Sequence, residues 1–219
     1  MQRVALLFLF LIHPLAAARA APPWQNLSAD VTSLYSWGTY STNGQPDNSH
    51  SGIGLHILAG YRNASGVEAG LTAFFSFPQV AAPDSSNDAA FSYHSFGAHA
   101  GYLFHGIIEP FVHYSPFAQL TQTTKSRLGV STVSTDLSYR GHALGTGIKI
   151  YLSPRETRSA QVGLRFIYTR ESYSSARVSS TVESNSEHTL PASVAPAGGH
   201  AQEQSMTGDT YSIGFFVGI

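Results

Sequence analysis

From residue 27 onward the chain alternates apolar side chains with small or polar ones in eight segments, the period-two pattern of strands that bury only one face. The first runs from Leu27 to Tyr40, with Ala29, Val31, Tyr35 and Trp37 on one parity. The second, Gly52 to Arg62, is the cleanest: Ile53, Leu55, Ile57, Ala59 and Tyr61 oppose Gly52, Gly54, His56 and Gly60. Val67 to Phe77 and Phe91 to Phe104 follow, the latter setting Phe96, Ala98, Ala100 and Tyr102 against Gly97, His99 and Gly101. In the fifth, Ile108 to Leu120, both parities carry apolar residues, with Val112, Tyr114 and Leu120 on one and Phe111 and Phe117 on the other. Leu137 to Leu152, Ala160 to Tyr173 and Thr210 to Ile219 complete the set, and Gly recurs on the polar parity of these last three.

The connections sort by length. Those after the second, fourth and sixth segments are short, whereas Ser41 to Ser51, Pro78 to Ala90, Thr121 to Asp136 and Ser174 to Asp209 are long and polar. An even strand count with short turns at one end and long loops at the other describes a bacterial outer-membrane barrel. A soluble barrel would turn its apolar parity inward and carry charge on the outer face. Here the apolar parity carries almost no charge, while the opposite one holds Gly, Ser and Thr with scattered Glu, Lys and Arg. The pattern therefore predicts an all-β fold: an eight-stranded antiparallel up-and-down transmembrane β-barrel with short periplasmic turns and long extracellular loops.

Composition sharpens this. Charged residues make up 11% of the chain, below the roughly 25% of ordinary soluble domains, alongside 13 Phe, 11 Tyr and 20 Gly. No stretch after residue 20 is long and apolar enough for a spanning helix, and lipid otherwise tolerates only closed barrels. Met1-Gln2-Arg3, the apolar run Val4 to Ile12 and the Ala18-Arg19-Ala20 exit predict a signal peptide over residues 1–20, leaving 21–219 as the barrel domain. The absence of cysteine removes disulfides, thiolate metal sites and thiol nucleophiles. Twelve Lys plus Arg against thirteen Asp plus Glu give no field suited to nucleic acid.

The leader, the Gly-spaced segments, Ile108-Glu109-Pro110-Phe111-Val112 and the closing Tyr211-Ser212-Ile213-Gly214-Phe215-Phe216-Val217-Gly218-Ile219 together resemble the small OmpA/OmpW-type eight-stranded outer-membrane barrels. The likeness extends over essentially the whole chain after residue 20, and it is one of pattern. It implies partnership with outer-membrane lipid and lipopolysaccharide, insertion by the barrel-assembly machinery, a monomeric state and no cofactor. Ile219 departs from the family, whose members usually end in Phe or Trp. No cell-wall-binding domain follows the barrel segments, so an OmpA-like tether is not implied.

Four charges fall on the lumen parity near the short-turn end: Glu68, Glu109, Lys149 and Arg165. An eight-stranded barrel is just wide enough for side chains to fill it, so an ion-pair network that plugs the lumen is expected, in preference to a gate. His99 and His113 are equidistant from Gly106, and a hairpin centred there pairs them on the lumen side. Two histidines make a thin metal site, and His56 belongs to a strand that does not adjoin the fifth, so polar filling without metal is expected.

His113-Tyr114-Ser115 also resembles the His-x-Ser element of lipid A deacylase barrels. Pro116 stands where that family has Asn, and Asp136 is the only acid between Glu109 and Glu156. The reading is an outer-membrane barrel with a structural or cell-surface interaction role and no catalysis. An OmpW-like conduit for small apolar molecules and a hydrolase using His113 and Ser115 are the alternatives.

Overall fold

Eight long strands, each antiparallel to its neighbours, close into a barrel. The computed structural model describes residues 26–42, 48–80, 88–128, 131–152, 160–184, 201–202 and 205–219. The expected signal peptide and the Pro191 to Gly199 centre of the last loop lie outside these residues. The strands are β1 (Leu27–Thr42), β2 (Asn48–Arg62), β3 (Val67–Val80), β4 (Asp88–Tyr102), β5 (Ile108–Leu128), β6 (Ser131–Tyr151), β7 (Gln161–Ser184), the two-residue β8 (Ala201–Gln202) and β9 (Met206–Gly218). Each pairs with the next along the chain except around β8, which lies only against Ala176 and Arg177 of β7. β9 pairs with both β7 and β1, which closes the cylinder and leaves no edge along the barrel wall.

The outer wall is oily and the interior polar, the reverse of a soluble domain. Leu71, Ile53 and Phe215 are 71%, 69% and 68% exposed, while Glu68, Glu109 and Arg165 inside are 0% exposed. Tyr35, Trp37, Tyr211 and Tyr168 line up in a row on the outer face toward the long-loop end, with ring centroids 5.2–6.2 Å apart. Tyr102 and Phe104 meet edge-on at 4.5 Å toward the short-turn end. Between the two aromatic levels, the climb from Leu27 to Trp37 on a strand tilted by about 40° rises about 25 Å, the height of a hydrocarbon band. Among the described residues no helix is long and apolar enough to cross a membrane; the strands are what would cross it.

Two departures from the sequence reading have local causes. The mixed parity of the fifth segment comes from a bulge between Ser115 and Ala118, where β5 has one residue more than either neighbour. Phe111, His113 and Ser115 face inward before it, and Ala118 and Leu120 after it. The expected loops 121–136 and 174–209 are in good part strand, since β5 continues to Leu128, β6 begins at Ser131, β7 reaches Ser184 and β9 starts at Met206. These extensions carry polar residues on both parities, such as Thr121, Gln122, Thr123 and Thr124, so they have no apolar alternation to read.

The short turns are locally specified. Asn63 Oδ1 accepts hydrogen bonds from the Ser65 amide (3.0 Å), the Ser65 hydroxyl (2.7 Å) and the Val67 amide (3.0 Å), which bends the chain from β2 into β3. Gly66 closes that turn at φ 93°, and a Cβ there would stand 2.9 Å from the Leu103 carbonyl oxygen. Gly66→Val is therefore expected to destabilise the barrel by about 1–3 kcal/mol, read as a lower urea midpoint for loss of the unheated gel band. An unchanged midpoint would show that the turn tolerates a different path.

A sealed lumen as the candidate functional site

Alternating parity delivers every second residue of each strand to the lumen. Glycines make the room. A Cβ at Gly145 would lie 2.1 Å from His113, one at Gly147 2.5 Å from the Phe111 ring, and one at Gly163 2.5 Å from the Phe216 ring. The interior forms three levels.

At the short-turn end sits an ion cage. Glu109, Lys149 and Arg165 form one cross-strand row over β5, β6 and β7, and Arg62 pairs with Glu68 across the β2–β3 hairpin. Lys149 Nζ reaches Asp30 (3.0 Å), Glu68 (3.1 Å) and Glu109 (3.0 Å), one carboxylate for each of its three protons. Arg62 bridges Glu68 and Glu109 and also donates to the Tyr151 hydroxyl at 2.8 Å, which in turn donates to Glu109 at 2.7 Å. Arg165 donates to Asp30 (2.7 Å) and Thr32 (2.6 Å), lies 2.5 Å from His56 Nδ1, and is sandwiched between the Phe111 and Phe216 rings at 5.7 and 5.6 Å. Three buried cations thus face three buried carboxylates, the balance that burial demands.

Above the cage lies a small cavity lined by His56, Thr72, Ser95, His113, Ser115 and Thr210, with about 10 Å³ open to a water centre. That is room for about one water molecule. The long-loop end is stoppered by a hydrophobic cluster of Tyr40, Tyr93, Leu120, Tyr139, Tyr173 and Met206. Glu171, 2% exposed, is held beside this cluster by the Tyr173 hydroxyl at 2.8 Å and the Thr210 hydroxyl at 3.1 Å. Tyr40 also stacks on His50 at 4.3 Å. Side chains fill the lumen below and above this cavity.

The comparisons bear on this architecture. No protein-family model matches the sequence, and no curated protein matches it. Among solved structures, the attachment invasion locus protein Ail of Yersinia pestis aligns over 87% of this chain and 99% of its own, at 12% identity and a TM-score of 0.50. Ail in complex with the heparin analogue sucrose octasulfate aligns over the same shares at 11% identity and a TM-score of 0.52. The fold is that of the eight-stranded outer-membrane barrels. Outer membrane protein AlkL, solved in lipid bilayers, aligns over 92% of this chain and 94% of its own, at 14% identity and a TM-score of 0.43. At these identities the similarity concerns the fold alone.

The residues singled out in the sequence fall as follows. Glu68, Glu109 and Lys149 are brought together, whereas among the described residues Arg165 pairs with neither Glu and is linked to them through Asp30, which also meets Lys149. Asp30 and Arg62 were not singled out, although both sit on the lumen parity, opposite Ala29 and Tyr61. His99 and His113 are register partners. Their rings pack on Phe111 at 4.9 and 6.4 Å, and His99 Nε2 lies 3.6 and 3.7 Å from Glu68 and Glu109. His56, set aside because its strand is not adjacent, reaches the His113 ring at 6.3 Å. Across so narrow a cylinder, neighbours in space need not be neighbours in the sheet.

Glu68, His99 and Glu109 offer ligand atoms within 4.8 Å of one another. Arg62 and Lys149 already occupy the same two carboxylates, so a divalent ion would have to displace both cations. The donor set fits an ion cage. His113 and Ser115 both face inward, 8% and 1% exposed. Asp136, the acid weighed for them, accepts from Thr123 at 2.7 Å and lies seven residues up β6 from Ala143, the partner of Ser115. That separation is about 23 Å.

Proposed function

We propose that this protein is an integral outer-membrane barrel that serves as a structural and cell-surface interaction element and conducts nothing through its lumen. The observation that carries this reading is the double closure: an ion cage at one end and a tyrosine-rich stopper at the other. A conduit for apolar molecules needs an open, apolar bore, and the residues that fill this one are charged below and packed above. A lipid-directed hydrolase needs its nucleophile within reach of lipid, whereas Ser115 looks into the interior cavity. In this reading the short turns are periplasmic and the extended ends of β5, β6 and β7 stand above the outer leaflet as a polar sheet.

Reconstituted in planar bilayers or sugar-loaded liposomes, the protein is expected to show no stepwise conductance and no solute-dependent swelling. Steady channel openings in the wild type would overturn the reading. Heat-dependent gel mobility and recovery in the outer-membrane fraction test the location independently of the lumen.

A further inference from the structure

We propose that the outer face of β4, β5 and β6 carries a seat for a phosphorylated glycolipid of the outer leaflet, with Arg140 and His94 holding a phosphate of lipid A and Phe96 and Phe117 packing its acyl chains. The proposal rests on the membrane-barrel reading above and adds the site and the ligand chemistry to it.

Three observations converge. The strand register lines up His94, Gln119 and Arg140 in one row across β4, β5 and β6, and all three point outward because Tyr93, Ser95, Ala118, Leu120 and Tyr139 point inward. One step toward the short turns in the same groove lie Phe96 and Phe117, directly paired, with Phe117 72% exposed. A polar row thus rests on an apolar one where the oily band ends, the arrangement that an amphiphile's head and tails require.

The second observation is the groove itself. The bulge between Ser115 and Ala118 adds a residue to β5, thrusting Pro116 and Phe117 outward. The result is a cleft of about 310 Å³ lined by His94, Phe96, Phe117, Gln119, Arg140 and Gly141. No carboxylate lines it.

Charge supplies the third. On the outer wall of β6 and β7, Arg140, Arg170 and Arg177 are exposed cations among the described residues. Arg170 faces Asp209 at 3.9 Å. Arg140 is exposed and has no anion beside it among the described residues, so its guanidinium fork is free to take a phosphate, the geometry that arginine suits best. An anionic headgroup at this height with chains descending past Phe117 satisfies both halves of the cleft.

The test uses the folded protein in octyl glucoside, a detergent without phosphate, titrated with bisphosphorylated lipid A, with its dephosphorylated form and with dioleoyl phosphatidylglycerol. Binding is read from the dissociation constant and from NMR shifts of the His94 ring and the Gln119 side-chain amide. The phosphorylated form is expected to bind about tenfold tighter than the dephosphorylated one. Arg140→Gln should abolish that preference, His94→Gln should reduce it several-fold, and Phe117→Ser should weaken both forms of lipid A alike. Arg170→Gln should leave all constants within about twofold.

Retention of the phosphate preference in Arg140→Gln overturns the proposal, as does phosphatidylglycerol binding as tightly as phosphorylated lipid A. Each variant is first checked for the heat-dependent gel shift. Loss of that shift in the wild type would instead sink the membrane-barrel reading, so the two failures are told apart.

Discussion

Arg165→Met is expected to destabilise the folded barrel by about 3–5 kcal/mol, seen as a marked fall in the urea midpoint for loss of the compact, unheated gel band. Arg165 ties Asp30, Thr32 and His56 together, at 2.7, 2.6 and 2.5 Å. Its removal leaves two cations against three carboxylates in a buried compartment, and strands a hydroxyl and an imidazole nitrogen as well. The penalty comes from the charge left behind more than from the bond lost. Asp30→Asn combined with Arg165→Met should therefore recover much of the loss, because Arg62 and Lys149 then balance Glu68 and Glu109. A double variant as unstable as the single one would show that packing between Phe111 and Phe216, and not charge balance, is what Arg165 contributes.

The second large effect lies on the opposite face of the wall. Leu71→Arg should destabilise the protein in lipid by about 2–4 kcal/mol, since Leu71 stands midway along the outward row of β3 that runs from Val67 to Phe77. The same change at Val178, on the polar extension of β7, should stay within about 0.5 kcal/mol. A side chain 71% exposed would accept arginine readily if water surrounded it, so the sign of the effect reports the solvent directly. Equal tolerance at both positions in bilayers would remove the case that the apolar face meets hydrocarbon. Unfolding in phospholipid vesicles by urea, followed by tryptophan emission, supplies the comparison.

Much of the architecture could be read from the chain because a barrel strand has only two faces. The parity of Ile53, Leu55 and Ile57 against Gly52, Gly54 and His56 is fixed by the pleat, and inside and outside follow once the charges are seen to share the polar parity. The hairpin centre at Gly106 likewise sets His99 opposite His113, because register counts outward from the turn. Glu109 and Lys149, partners across β5 and β6, lie beyond the bulge, where a count from the β5–β6 turn is one residue out.

Other features were not legible, for reasons that lie in three dimensions. The β5 bulge appeared only as a strand with two apolar parities, since one extra residue reverses the faces without leaving a distinctive sequence mark. The extensions of β5, β6 and β7 were hidden because strands that are polar on both parities lack the periodicity by which strands are recognised. Asp30 and Arg62 were available on the lumen parity, but nothing local distinguishes a charge that meets partners across the bore from one that does not.

What the sequence alone determined, then, was the set of short-range relations: which residues alternate, where the chain turns, which face is oily. Those follow from the pleat and from turn chemistry, both of which span only a few residues. The tertiary structure decided who meets whom through the middle. Closing the cylinder brought Asp30 of β1 to Arg165 of β7 and His56 of β2 to His113 of β5, and it joined β5 to its neighbours so that His94 and Arg140 share one cleft. Such meetings depend on strand tilt and circumference, which belong to the closed barrel as a whole.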